Sequence, residues 1–255
     1  MTDDGGTFEA AAEELAKRVA ESVEECVRGR SRVAVAFSGG VDSSVIAVCA
    51  KRLTDAFACS ASVPGSFDAG RAALVAREIG IEVVEARIRA DDARRAFKEF
   101  ALPFEPTPMD RELWCLYRLA SERAMRAGAE AILLGQLSDE LFGGYAKYER
   151  ALGLGEAEVA EMMSADVAAF YARGMLRDVS ACERWLAPRF PFASERVVEL
   201  GTSIPVGYKV REGVRKAVLR RAAVVLGVPE RLAAAPKKAA QYSSGIQKLV
   251  HDHAL

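Results

Sequence analysis

Residues 32–53 read RVAVAFSGGVDSSVIAVCAKRL: an apolar run that stops at two glycines and resumes as a helix-like segment. The run is short, valine-rich and does not alternate, the pattern of a strand buried on both faces. Such a strand needs helices above and below it, which a parallel sheet with helical crossovers supplies. The segment therefore predicts an α/β fold, and the chain after it contains the other parts. AFACSASV (56–63), IEVVEARI (81–88) and AEAILLG (129–135) read as strands, between helical patterns over 8–28, 43–53, 68–80, 91–100 and 111–128. Asp68 and Gly80 read as the start and stop of one helix. ALPFEPTPMD (101–110), with three prolines, reads as a loop. Right-handed crossovers then give a Rossmann-like parallel sheet covered by helices on both faces.

A length of 255 residues accommodates one large α/β domain. From about residue 150 the strand pattern stops, and 155–187 and 211–227 read as helices, with no repeat or low-complexity linker. The expectation is a single domain over 1–255, with an α/β core over about 1–150 and a C-terminal helical extension over about 151–255. A formal net charge of −1 carries no global signature of a nucleic-acid or anionic-membrane partner. No window approaches ~20 uninterrupted apolar residues. No basic-then-apolar segment opens the chain, so neither a membrane span nor a signal peptide is expected. Cys26, Cys49, Cys59, Cys115 and Cys182 stand alone, without a C-x-x-C pair, and read as reduced thiols of a cytoplasmic protein. The two histidines, His251 and His253, lie in the last five residues and read as part of a solvated terminus. Their scarcity argues against a Ser-His-Asp hydrolase and a histidine-rich metal site.

A strand that runs through S-G-G-x-D-S-S into a helix leaves several backbone N–H groups without helical partners, where the helix dipole adds positive potential. Gly39 and Gly40 let an anion approach the backbone, and the hydroxyls of Ser38, Ser43 and Ser44 can donate to it. The loop suits phosphate. It is neither G-x-x-x-x-G-K-S/T nor G-x-G-x-x-G, and no lysine lies between Gly39 and Lys51. Asp42 would repel a phosphate unless a divalent cation lay between them. Mg2+ binds through one or two carboxylates plus phosphate oxygens, so Asp42 reads as a metal ligand more than as a helix cap. Asp139 in GQLSDELFGGY (135–145) offers a second carboxylate at the end of the fourth strand. By itself that segment reads equally well as a helix start capped by Ser138 or Asp139. Both loops fall at carboxyl ends of strands, where open parallel sheets bind ligands.

With the second loop included, the sequence resembles the synthetase domain of the asparagine synthetases and the related β-lactam synthetases. These belong to the PP-loop ATP pyrophosphatase superfamily, whose fold is adenine nucleotide alpha hydrolase-like. The resemblance runs in order through SGGVDSS (38–44), VPGSFD (63–68), SDELFGGY (138–145), PRFPF (188–192), SIPVGYK (203–209), RKAVLRRA (215–222) and KKAAQYSSG (237–245). It implies that Ser38, Gly39, Gly40, Asp42 and Ser43 form a pyrophosphate loop. It implies also that Ala61 lies by the adenine, Gly135 by the ribose or α-phosphate, Asp42 and Asp139 on Mg2+, and Lys216 at the catalytic lysine. Attack of a carboxylate on the α-phosphate of ATP gives an acyl-adenylate and pyrophosphate, and a positioned ammonium stabilises the charge that develops. Loss of one such group costs ~100- to 1,000-fold in rate. Without the resemblance, Lys216 would read as an i,i+4 surface partner of Glu212, worth about 0.3–0.5 kcal/mol. Lys237 and Lys238 read as a flap over the phosphates or as solvated charges.

The sequence also departs from that family. Asparagine synthetases place a glutamate three residues before the Mg2+ aspartate; here the position is Gln136, which can hydrogen-bond but cannot act as a base. Ser194 stands where the family has an aspartate after its P-F-L segment. The chain opens MTDDGGTF, without the N-terminal cysteine of a glutaminase. Free ammonia, another amine, or a separate glutaminase partner is therefore expected to supply nitrogen. The leading expectation is a cytoplasmic, ATP- and Mg2+-dependent, AMP-forming carbon–nitrogen ligase, with Lys216 and Gln136 as candidate catalytic positions. One rival is a PP-loop enzyme that thiolates or aminates RNA, against which the absence of C-x-x-C pairs and basic patches counts. The other is a non-catalytic ATP-binding sensor or subunit, which Gln136 would suit and Lys216 would not.

Overall fold

The computed structural model describes residues 4–235 and 244–252. Strand β1 (Arg32–Ala36) lies at the centre of a five-stranded, all-parallel sheet. On one side stand β2 (Asp55–Ser62) and β3 (Glu82–Arg87), on the other β4 (Ala131–Leu133) and β5 (Ala187–Arg189). Successive side chains of β1 point to opposite faces. Val33 and Val35 join one buried core with Ala58 and Leu133, and Ala34 joins a second with Phe57, Cys59 and Ile132. A strand apolar at every position after Arg32 is thus used on both faces.

Helices α1 (Asp4–Val27), α2 (Val41–Ala50) and α3 (Phe67–Ile79) pack on the first core, and α4 (Ala90–Phe97) and α5 (Pro108–Arg126) on the second. All ten residues of α2 are buried, so its two serines and its aspartate sit inside the molecule. Gly80 stops α3 in the left-handed conformation expected for it (φ 66°). The residue before α3 is Ser66, and Asp68 lies in the first turn instead of preceding it. Helix α5 begins inside the proline-rich segment. Thr107 accepts from the Asp110 amide, the Asp110 carboxylate accepts from the Thr107 amide, and Pro108 occupies the first helical position.

Past β4 come α6 (Ser138–Phe142), α7 (Ala146–Ala151) and α8 (Glu156–Ala169), which passes through a π-helical turn at Phe170–Gly174 into α9 (Met175–Cys182). Then follow α10 (Glu195–Ser203), α11 (Val206–Lys209), α12 (Ala217–Val225), α13 (Glu230–Ala233) and α14 (Ile246–Asp252). Two features differ from the expectation of helices alone after residue 150. Residues 187–189 form β5, whose three-residue length and Pro188 erase any periodic signal; proline is tolerated there because the strand lies at the sheet edge. Residues 210–215, expected to begin a helix at 211, form the hairpin β6 (Val210–Arg211) and β7 (Val214–Arg215). Its two-residue loop, Glu212-Gly213, has positive φ at both positions (52° and 76°), as a primed turn requires. No described helix is long and apolar enough to cross a membrane. All five cysteines are free, and four of them are buried.

Lys209 ends α11 with 4% of its surface exposed, and burial pushes its ammonium down to about 8 from an ordinary value of 10.5. The folded state therefore holds this proton less firmly than the unfolded chain. The penalty is complete below pH 8 and fades as the pH rises towards 10.5. Replacing Lys209 by Met should stabilise the fold at pH 7 by on the order of 3 kcal/mol. It should also flatten the rise in stability between pH 8 and 10.5, read from urea midpoints across that range.

Candidate active site

The chain leaves β1 towards β2 and later returns to the other side of β1 as β4. The loops that follow β1 and β4 diverge, which opens a crevice at the carboxyl ends of the strands. A cleft of about 640 Å3 lies there. Ser38, Asp42 and Ser43 reach it from the first loop and helix, Ala61 from the end of β2, and Gly135, Gln136 and Asp139 from the second loop.

The first loop is shaped by its glycines. Gly39 has φ 72°, and a Cβ there would press on Arg71 and Val75 at 3.2 Å. The Gly39 carbonyl accepts from Arg71 Nε at 3.1 Å. Gly40 precedes α2; its amide donates to Ser38 Oγ at 3.3 Å, and its carbonyl accepts from Ser43 Oγ at 3.1 Å. Of the residues proposed for this loop, Ser38, Asp42 and Ser43 meet the cleft, and Gly39 and Gly40 set the turn behind it. Ser44 is 1% exposed in the first turn of α2 and does not line the cleft.

Lys216 joins the two loops. Its Nζ lies 2.6 Å from Asp42 Oδ1 and 2.8 Å from Asp139 Oδ1, and it donates to Ser138 Oγ at 2.8 Å. Only 2% of Lys216 is exposed. It is not a surface partner of Glu212: the hairpin carries Glu212 in its turn, and Lys216 stands immediately before α12 in the left-handed region (φ 59°, ψ 31°). That conformation costs a non-glycine residue about 1–2 kcal/mol and turns the chain from hairpin to helix. Asp139 is not a helix cap either. Leu137 occupies the cap position of α6 with φ 73° and no side-chain cap bond, which leaves the Asp139 carboxylate for Lys216. Gly144 completes the arrangement, because a Cβ there would overlap Asp139 Oδ1 and Lys216 Cε.

The residues fit a divalent cation of a particular kind. Asp42 and Asp139 already converge on one positive charge, with the ammonium as a stand-in ion. Among the described residues no group of three or more His, Cys, Asp or Glu could hold a metal. Two carboxylates suit Mg2+ that completes its shell with phosphate oxygens and water, not a resident structural ion.

The other wall is a chain of polar and charged side chains, of which Asp110, Arg177 and Asp178 are buried. Gln136 Nε2 donates to Asp178 Oδ2 at 2.7 Å, and Arg177 Nε donates to Asp178 Oδ1 at 2.8 Å. Arg177 Nη1 reaches Asp110 Oδ1 at 3.2 Å, and Arg173, in the π-helical turn, reaches Asp110 Oδ2 at 3.5 Å. Burial pushes the Asp178 carboxyl above its ordinary range. Burial acts on Asp110 in the same direction, but bonds from Thr107 and the Arg177 guanidinium outweigh it and hold that carboxyl low. Glu140, raised by burial, accepts from the Tyr145 hydroxyl at 2.6 Å. The sequence had not pointed to these residues. Asp110 had a usable signal in the T-x-x-D capping pattern, whereas Arg177 and Asp178 are an ordinary polar pair in a helical stretch. The buried hydroxyl of Ser194 has no partner among the described residues. Lys237, Lys238 and His253 lie outside the described residues.

Replacing Gly144 by Ala should force the Asp139 and Lys216 side chains apart. The expected loss is about 1–3 kcal/mol, as for overpacking of a tight interior, seen as a lower urea midpoint at unchanged m.

Comparison with known proteins shows the family. The asparagine synthase family model matches residues 14–185 and 150–254. A Methanocaldococcus jannaschii protein bearing the name of a glutamine-hydrolyzing asparagine synthetase is 31% identical over 280 residues, which cover 96% of this chain and 52% of that protein. The asparagine synthetase domain-containing protein 1 of Mus musculus is 35% identical over 134 residues, 50% of this chain and 21% of its own length. The chain thus spans about half the length of the archaeal relative and less of the mouse one. The NMN synthetase of Francisella tularensis superposes with a TM-score of 0.50 at 10% identity, over 91% of this chain and 77% of the other, a likeness of fold alone.

Proposed function

We propose that this chain, which belongs to the asparagine synthase family, is an AMP-forming ligase. It would adenylate a carboxylic acid with ATP, release pyrophosphate, and pass the acyl group to ammonia or another amine. The observation that carries this reading is the buried Lys216 ammonium, held between carboxylates from the two loops of the switch-point cleft. A structural lysine would gain little there, since burying an ion pair is no net source of stability. A cation aimed where phosphate charge develops is worth much more.

In this reading the amides around Gly39 and Gly40 and the hydroxyls of Ser38 and Ser43 bind the β- and γ-phosphates. Ala61 and Gly135 flank the adenine and the ribose or α-phosphate, where their small size leaves room. Asp42 and Asp139 hold Mg2+, which neutralises phosphate charge when bound. Lys216 stabilises the leaving pyrophosphate, and then the oxyanion formed when the nitrogen nucleophile attacks the acyl-adenylate. Gln136 takes no proton. Its amide nitrogen is committed to Asp178, so it offers its carbonyl oxygen as an acceptor to a nucleophile N–H. Ammonia, another amine, or ammonia from a separate glutaminase completes the reaction. Five free thiols fit a reducing compartment such as the cytoplasm.

ATP–pyrophosphate exchange over a panel of acids that includes aspartate tests the reading. One or more acids should support exchange, with AMP as the nucleotide product once an amine is added. Lys216→Ala should lower the exchange rate by about 100- to 1,000-fold. Formation of ADP and phosphate instead would overturn the proposal.

A further inference from the structure

The Lys216 ammonium sits between the same two carboxylates to which the proposed function assigns a metal ion. It lies at hydrogen-bond distance from both, 2.6 and 2.8 Å, with Ser138 Oγ as its third partner at 2.8 Å. A Mg2+ ion bound to those same Oδ1 atoms at about 2.0–2.1 Å would need that same space. Two cations on one carboxylate pair, one of them a lysine only 2% exposed, would repel each other with little solvent screening. The backbone of Lys216 is pinned between β7 and α12, so the flexible part is the four-carbon side chain.

We propose that Lys216 is the internal counter-ion of the metal site. Its ammonium and a divalent cation compete for the Asp42–Asp139 pair, and the lysine yields only when phosphate gives it a new partner. The consequence is ordered loading: the site refuses free metal and accepts metal together with nucleotide. The same displacement carries the ammonium from the carboxylates to the phosphates, so the group proposed for catalysis is delivered by the arrival of its substrate. This inference rests on the proposed function for the identity of the site, not for its test.

The test uses Mn2+ alone as the probe, without nucleotide, titrated into the full chain and read by electron paramagnetic resonance. Wild type should bind Mn2+ weakly, and Lys216→Met at least tenfold more tightly. Ser138→Ala removes one partner of the ammonium but keeps its charge and both carboxylates, and should fall between them. That variant separates competition from the simple loss of a positive charge, and it stands as the test if Lys216→Met does not fold. Mg2+ alone should raise the Tm of Lys216→Met and leave that of wild type unchanged. Equal Mn2+ affinity in wild type and Ser138→Ala, or no Mn2+ binding by folded Lys216→Met, would overturn the proposal. Pyrophosphate exchange reports separately on the ligase reading. Exchange with unaltered Mn2+ affinities sinks only the competition, and altered affinities without exchange for any acid sink only the ligase.

Discussion

The cleft is organised around one buried ammonium. Lys216 links Asp42, from the first turn of α2, to Asp139, from the helix after β4, and so ties together the two sides of the sheet where the strand order reverses. Two carboxylates that close together would repel each other without it, and removing one member of a buried ion pair typically costs about 3–5 kcal/mol. Several local features that look unrelated serve this contact. Leu137 and Lys216 take left-handed backbones, the Glu212-Gly213 turn closes the hairpin ahead of Lys216, and Gly144 lacks a side chain where the lysine and aspartate meet. Left-handed non-glycine residues persist only where their surroundings over-determine them, and Leu137 and Lys216 both adjoin this contact.

The two walls of the cleft divide polar work differently. The wall that carries the glycine loop is built from backbone and small side chains, whose N–H groups and hydroxyls donate without filling space. The opposite wall is a chain of polar side chains from the neutral Gln136 through the charged Asp178 and Arg177 to Asp110, fastened at its far end to the capping box of α5. Such a chain fixes the orientation of the Gln136 amide. It turns a residue that could donate or accept into one whose nitrogen is already used. The departure of this chain from the asparagine synthetase pattern at position 136 is therefore supported by neighbours and is not an isolated substitution.

The fold was legible in the sequence: the continuous apolar run of β1 required helices on both faces, and the glycines after it marked the turn into α2. The two aspartates singled out there, Asp42 and Asp139, do meet, although at Lys216. The misreadings have physical causes. β5 is three residues long with a proline at the sheet edge, too short to show a period. The hairpin before Lys216 sits in a stretch whose spacing mimics a helix, and its turn depends on positive φ at Glu212, a residue type with no preference for that conformation. Ser44 carries the right hydroxyl for a phosphate loop, but helical geometry directs it inwards.

Sequence alone determined the layered α/β architecture and the glycine turn after β1, because each rests on local spacing along one segment. Tertiary structure decided which charges meet. Lys216 lies 174 residues from Asp42 along the chain, and Gln136 lies 42 from Asp178. No local pattern encodes either encounter. Both follow from the crossovers that bring the two loops to one crevice, and from the hairpin and the π-helical stretch that bring the later helices against it.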